Sequence, residues 1–143
     1  MASDMFPTPY TLQASQTTVE GTGSGEALAL PGPVNAMTFV LEVTAAATES
    51  GDLLDVYVQT CVDGTNWVDV GRFTQILGNI TPTVRYYGKI NAGGALTEFE
   101  GATVLAAHTW RDLMGDRWRT RYVVTDAGTK NASFTWSVKA NLM

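Results

Sequence analysis

Three arginines have a spacing that could do chemistry. Arg117, Arg119 and Arg121 stand at i, i+2 and i+4, so on an extended strand they project from one face as a comb, with Trp118, Thr120 and Tyr122 opposite. Guanidiniums arrayed in this way suit bidentate pairing with carboxylates, either on another subunit or across strands of the same chain. Phosphate would be a third use, but a chain of net charge -5 is a poor nucleic-acid binder, and no nucleic-acid partner is expected.

The other reactive types give weaker patterns. Gly21-Thr22-Gly23-Ser24-Gly25 is followed by Glu26 and not by Lys-Ser/Thr, so it lacks the lysine of a phosphate loop and reads as a flexible turn. Asp52 with Asp55 and Glu98 with Glu100 are the nearest approach to paired catalytic carboxylates; only the second pair, two apart, could share a strand face. Both pairs read as solvated surface acids. One histidine, His108, and one cysteine, Cys61, leave no multi-His metal site and no intrachain disulfide. No metal or other cofactor is expected, and with no serine in an elbow motif the chain does not read as an enzyme. Cys61 lies inside an apolar strand pattern and reads as a packing residue.

These residues are placed by a chain whose dominant period is two. Met37, Phe39, Leu41 and Val43 alternate with Thr38, Val40, Glu42 and Thr44; Leu54, Val56 and Val58 alternate with Asp55, Tyr57 and Gln59. Asp63-Gly64-Thr65-Asn66 then turns the chain into residues 67–73, a hairpin with Asp-Gly chemistry. Residues 83–90, the arginine strand with Trp118, Thr120, Tyr122 and Val124, and Phe134, Trp136 and Val138 complete the series, and residues 127–130 connect the last two. Turn signals recur about every ten residues. The expected fold is all-β, an antiparallel β-sandwich or jelly roll of about seven to nine strands with at most one short helix. That helix would lie in residues 105–114, where Ala106, Ala107 and Arg111 favour it. The expected core is Phe39, Leu41, Val56, Val58, Trp67, Tyr122, Phe134, Trp136 and Val138. Trp67, Trp118 and Trp136 read as core bulk, whereas Trp110 is expected at the surface as a candidate partner contact.

Residues 1–10, with Pro7 and Pro9, read as an extended arm before a single domain of residues 11–143. Met5 and Phe6 are candidate contacts of that arm with a neighbouring subunit. Charged residues form only 16% of the 143, below the ~25% of an average domain, so neutral polar residues or a partner must cover the surface. Residues 1–71 carry nine acids and no base, residues 72–143 nine bases and five acids. Either the halves interleave and neutralise each other, or the asymmetry serves assembly. No apolar run approaches the ~20 residues of a membrane span, and residues 1–4 carry no secretory signal. Neither a membrane partner nor export is expected.

The run Leu53-Leu54-Asp55-Val56-Tyr57-Val58-Gln59-Thr60-Cys61-Val62-Asp63-Gly64-Thr65-Asn66-Trp67-Val68-Asp69-Val70, followed by Phe73-Thr74-Gln75, resembles small structural proteins of tailed bacteriophages. The ending is similar too: Arg119 to Val124, then Phe134-Thr135-Trp136-Ser137-Val138, looks like their closing strand pair. The resemblance implies a jelly-roll or sandwich protein that decorates or cements a capsid. It implies a virion component on the outer surface of the shell, assembled in the host bacterial cytoplasm. Its expected partners are the major capsid protein and further copies of itself, as a dimer or trimer. The resemblance carries no catalytic residues. Another virion position (neck, tail or head-fibre base) and a carbohydrate-binding sandwich are the alternatives.

Overall fold

The computed structural model describes residues 9–30, 34–128 and 131–142; the candidate contacts Met5 and Phe6, with the rest of the arm up to residue 8, lie outside them. So do residues 31–33 and residues 129–130, the latter part of the expected connection between the last two strands. Among the described residues the structure contains strands and no helix: β1 (Tyr10–Val19), β2 (Gly21–Ser24), β3 (Leu28–Ala29), β4 (Ala36–Ala45), β5 (Leu53–Cys61), β6 (Trp67–Arg72), β7 (Ile76–Leu77), β8 (Val84–Asn91), β9 (Thr109–Trp110), β10 (Arg117–Thr125) and β11 (Ser133–Leu142). Seven of these have six residues or more, and the other four are short additions. All pairings are antiparallel. One sheet has four strands in the order β1-β11-β4-β8; the other has seven, running β2-β10-β5-β6-β9, with β3 on β10 and β7 on β5.

The alternating residues become the two inner faces of a sandwich. Met37, Phe39, Leu41 and Val43 of β4 and Phe134, Trp136, Val138 and Ala140 of β11 are buried from one sheet. Leu54, Val56 and Val58 of β5, Val70 of β6 and Trp118 and Val124 of β10 meet them from the other. The Trp136 indole N–H donates to Thr18 Oγ1 at 3.0 Å inside this core, which ties β1 to β11 and satisfies a buried donor.

Several expectations are corrected. Residues 105–114 form no helix: Thr109 and Trp110 pair with Arg72 and Gly71, and the Arg111 N–H donates to Val70 O at 2.7 Å. Trp110 is half-buried and not a surface aromatic. Its ring stacks on Phe39 (centroids 5.5 Å apart) and meets Phe73 edge-on at 5.0 Å, closing the open side between β6 and β8. Gly71 and Gly88 lie flat against it, where any Cβ would strike the ring. Tertiary packing here overrides the helix propensity of Ala106 and Ala107. The glycine-rich segment expected to be a flexible turn is largely β2, paired with β10 from Arg121 to Val124. The Tyr122 ring covers Gly23 there, leaving Tyr122 half-buried at the margin of the core.

Candidate functional site

The outward face of the larger sheet is built around β5, which is buried on both sides. Its outward residues Asp55, Tyr57, Gln59 and Cys61 are covered by side chains from the flanking strands, because β10 places Val123, Arg121, Arg119 and Arg117 opposite them in register. On the other flank β6 places Trp67 opposite Cys61 and Asp69 opposite Gln59. A register shift between Val58 and Gln59 inserts one extra residue into β6, so Arg72, three positions after Asp69, also turns outward beside Tyr57. The bulge thus re-aims a side chain that strict alternation would send into the core.

Four guanidiniums and two carboxylates share this face. Arg72 Nη2 lies 2.8 Å from Asp55 Oδ1 and its Nη1 donates to Leu105 O at 2.8 Å. Arg121 Nη2 lies 2.9 Å from Asp69 Oδ2, and its guanidinium sits 3.9 Å over the Tyr57 ring. Burial opposes the Arg121 charge, but the hydrogen bond and attraction of Asp69 outweigh it and its pKa is raised. With Arg85 bonded to Glu42 at 2.7 Å on the other sheet, these pairs join acids of the first half to bases of the second. For these acids the halves do interleave.

Arg119 is the exception. Its Nε donates to Gln59 Oε1 at 2.8 Å, Gln59 Nε2 donates to Asp69 Oδ1 at 2.9 Å, and its guanidinium stacks 4.4 Å over the Trp67 ring. Among the described residues no carboxylate lies within ion-pair reach of it and no hydrogen bond holds its Nη atoms. Burial, then the neighbouring Arg121 charge, lower its pKa. The group is a cation held in one orientation by an amide and an indole, with its outer donor edge open. Arg117 continues the row: its Nη2 is 3.4 Å from Cys61 Sγ, its Nε is 3.7 Å from Asp116, and Trp67 lies 6.0 Å beneath. Chemically, Arg119 is an oriented donor for an oxyanion, best matched to a carboxylate, within a row whose other guanidiniums already have carboxylates nearby.

Trp67 therefore is not a core residue as expected but the platform under two arginines. Asp52 and Asp55, expected as solvated acids, are buried. Asp52 accepts the Ala127 N–H at 3.1 Å, and Asp55 holds Arg72 and Gln75. Glu98 and Glu100 are exposed, in a loop and not on a strand. Cys61 is fully buried, and His108 is exposed, its Nδ1 3.2 Å from Thr74 Oγ1. Sequence reasoning missed Arg72, Gln59, Asp69 and Tyr57 as members of the arginine face. Gln59 and Asp69 straddle the Asp-Gly turn in a hairpin, which was the available signal; the bulge that recruits Arg72 leaves none.

The outward face of the smaller sheet differs. Tyr87 is 73% exposed between shallow grooves that include Val40, Lys139, Asn141 and the Glu42–Arg85 pair. Among the described residues no group of three His, Cys, Asp or Glu side chains is placed to hold a metal ion, and no helix is long and apolar enough to cross a membrane. The chain matches no protein-family model and is similar to no curated protein.

Proposed function

We propose that the protein is a structural virion component of a tailed bacteriophage, a capsid decoration or cement protein, and that the arginine face is its contact surface with an adjacent subunit. The observation that carries this reading is Arg119: a stacked, oriented guanidinium without a carboxylate of its own is arranged for one supplied from outside. Preorganisation favours protein contact because little side-chain freedom is left to lose on binding. The resemblance at the β5–β6 hairpin and the closing strands supplies the kind of partner, the major capsid lattice. The all-β sandwich agrees with the fold which that resemblance implies.

The test is co-sedimentation of the purified chain with shells of the major capsid protein encoded near it. Wild type should bind saturably, and Arg119→Glu should bind at least about tenfold more weakly with an unchanged thermal melt, as expected when like charges meet at a desolvated contact. A stable Arg119→Glu protein that binds as wild type does would overturn this reading, as would a gene neighbourhood without capsid genes. Tyr87, an exposed aromatic beside Asn141, Lys139 and Glu42, favours the carbohydrate-binding alternative. Glycan binding lost on Tyr87→Ala would decide for it.

A further inference from the structure

We infer that the free edge of β8 is a second contact surface, which takes one extended, acid-bearing segment of a partner chain as an added strand. On the proposed function, which supplies the partner, that segment is the capsid subunit's. β8 lies in the smaller sheet and the arginine face in the larger, so the two contacts do not compete. The sheets end on β1 and β8, and on β2 and β9. Three of these edges are blunted in ways that keep sheets from pairing at random. β2 has four residues and β9 two, and the register of β1 along β11 shifts twice. β8 has eight residues, and its register with β4 runs from Val84 to Asn91 without a shift.

The direction of its backbone groups follows from one bond. The Ala92 N–H donates to Asn35 O at 2.7 Å, one step beyond the pair Asn91 and Ala36. Bonded pairs of an antiparallel ladder recur at every second residue. Ile90, Gly88, Tyr86 and Val84 therefore bond β4, and Asn91, Lys89, Tyr87 and Arg85 turn their groups away from it. Asn91 agrees: its N–H donates to Asp112 Oδ1 at 2.8 Å, and its C=O accepts the Gly94 N–H at 3.3 Å. Among the described residues no hydrogen bond reaches the outward backbone groups of Arg85, Tyr87 and Lys89.

The side chains say which strand fits. Tyr87 is 73% exposed and stands between two exposed cations. Arg85 reaches one carboxylate, Glu42, and among the described residues Lys89 has no ion pair. A second copy does not fit. Two β8 edges paired about Tyr87 would set Arg85 of each against Lys89 of the other, and like charges directly opposite are destabilising. A strand with carboxylates at alternate positions fits, because opposed residues of adjacent strands share a face. Its intervening side chains would point toward the sandwich, where Tyr86 and Trp110 are half-buried and Trp110 lies against Gly88. Apolar residues suit that side. Backbone bonds then supply affinity, and the alternate side chains supply selectivity.

The experiment starts with residue-by-residue amide exchange in the free full-length chain. Tyr86, Gly88 and Ile90 should exchange slowly, and Arg85, Tyr87 and Lys89 fast; slow exchange throughout would mean a covered edge and overturn the inference. The peptide acetyl-Ser-Glu-Val-Thr-Val-Glu-Ser-amide, added at millimolar concentration, should slow exchange at Arg85, Tyr87 and Lys89. With lysine in place of its glutamates it should bind at least about tenfold more weakly. Tyr87→Pro removes an N–H from the free edge and none from the β4 ladder, a place where strands tolerate proline. It should weaken the peptide at least about tenfold, whereas Tyr87→Ala, which keeps that N–H, should retain most of the binding. If Tyr87→Pro melts below wild type, Lys89→Pro takes its place, and the exchange pattern of wild type needs neither. A peptide that leaves these amides unprotected, or a folded proline variant that binds it as wild type does, would overturn the inference. So would equal losses in Tyr87→Ala and Tyr87→Pro, the mark of a side-chain site, or edge protection that grows with the concentration of the chain alone. Shells bound through Arg119 by a chain whose edge ignores the peptide would sink the added strand alone. An edge that takes the peptide, in a chain that ignores shells, would sink the proposed function alone.

Discussion

Asp63 shows how a single side chain sets the hairpin that carries the arginine platform. Its Oδ1 accepts the N–H groups of Asn66 at 2.7 Å and Thr65 at 2.9 Å, while Oδ2 accepts Asn66 Nδ2 at 2.7 Å. Gly64 between them takes a φ of +85°, which glycine adopts without strain. Bonds from Asn66 and then Thr65 to the ionised carboxylate lower its pKa from 3.8 to about 2. A depressed folded-state pKa stabilises the fold above the unfolded value, and that contribution is lost as pH falls from 3.8 through about 2. The melting temperature of Asp63→Asn should therefore lie below that of wild type by a constant margin at neutral pH, and the margin should close between about pH 4 and pH 2. A margin that persists at pH 2 would mean the carboxylate charge is not what holds the turn.

At the scale of elements, the segment through β9 is where local sequence and final structure disagree most. Ala106, Ala107 and Arg111 favour a helix, yet the gap between β6 and β8 accepts the Trp110 ring because Gly71 and Gly88 offer flat backbone on either side. Neither glycine carries a recognisable turn signal, so their role could not be read before the two sheets were placed together. Gly88→Ala should destabilise by about 1–3 kcal/mol, as overpacking does. In a Trp110→Ala background the sign should reverse, because the clash is gone and alanine suits a strand interior better than glycine by roughly 0.5–1 kcal/mol. Denaturant titrations of the four proteins measure this coupling; equal effects in both backgrounds would show that the ring and Gly88 do not share the space. The arginine face was legible in part on the same grounds. Alternation aligned Arg117, Arg119 and Arg121, but nothing local shows that Trp67 lies beneath them or that a bulge adds Arg72.

For the whole molecule, what could be read was the set of long alternating strands, β4, β5, β10 and β11 above all; what could not was their order. Strand order depends on pairings distant in sequence. β1 pairs with β11, from Tyr10 opposite Ala140 to Val19 opposite Ser133, and β11 joins β1 to β4. β10 likewise joins β2 to β5. Both sheets are thus completed by the last two strands, whose fully buried Trp118 and Trp136 fill the core between them. Little of the native sheet can form while these strands are absent, since closing loops of this length costs entropy before many contacts repay it. Refolding from denaturant should therefore be slow, in the millisecond-to-second range of domains dominated by distant pairings. Burial of Trp118 and Trp136, followed by fluorescence, should coincide with the gain of β-signal in circular dichroism. A chain cut after residue 115, which lacks both tryptophans along with β10 and β11, should show no β-signal at any denaturant concentration. Refolding in microseconds, or a β-signal that matures well before the tryptophans are buried, would mean that one sheet forms without its closing strand.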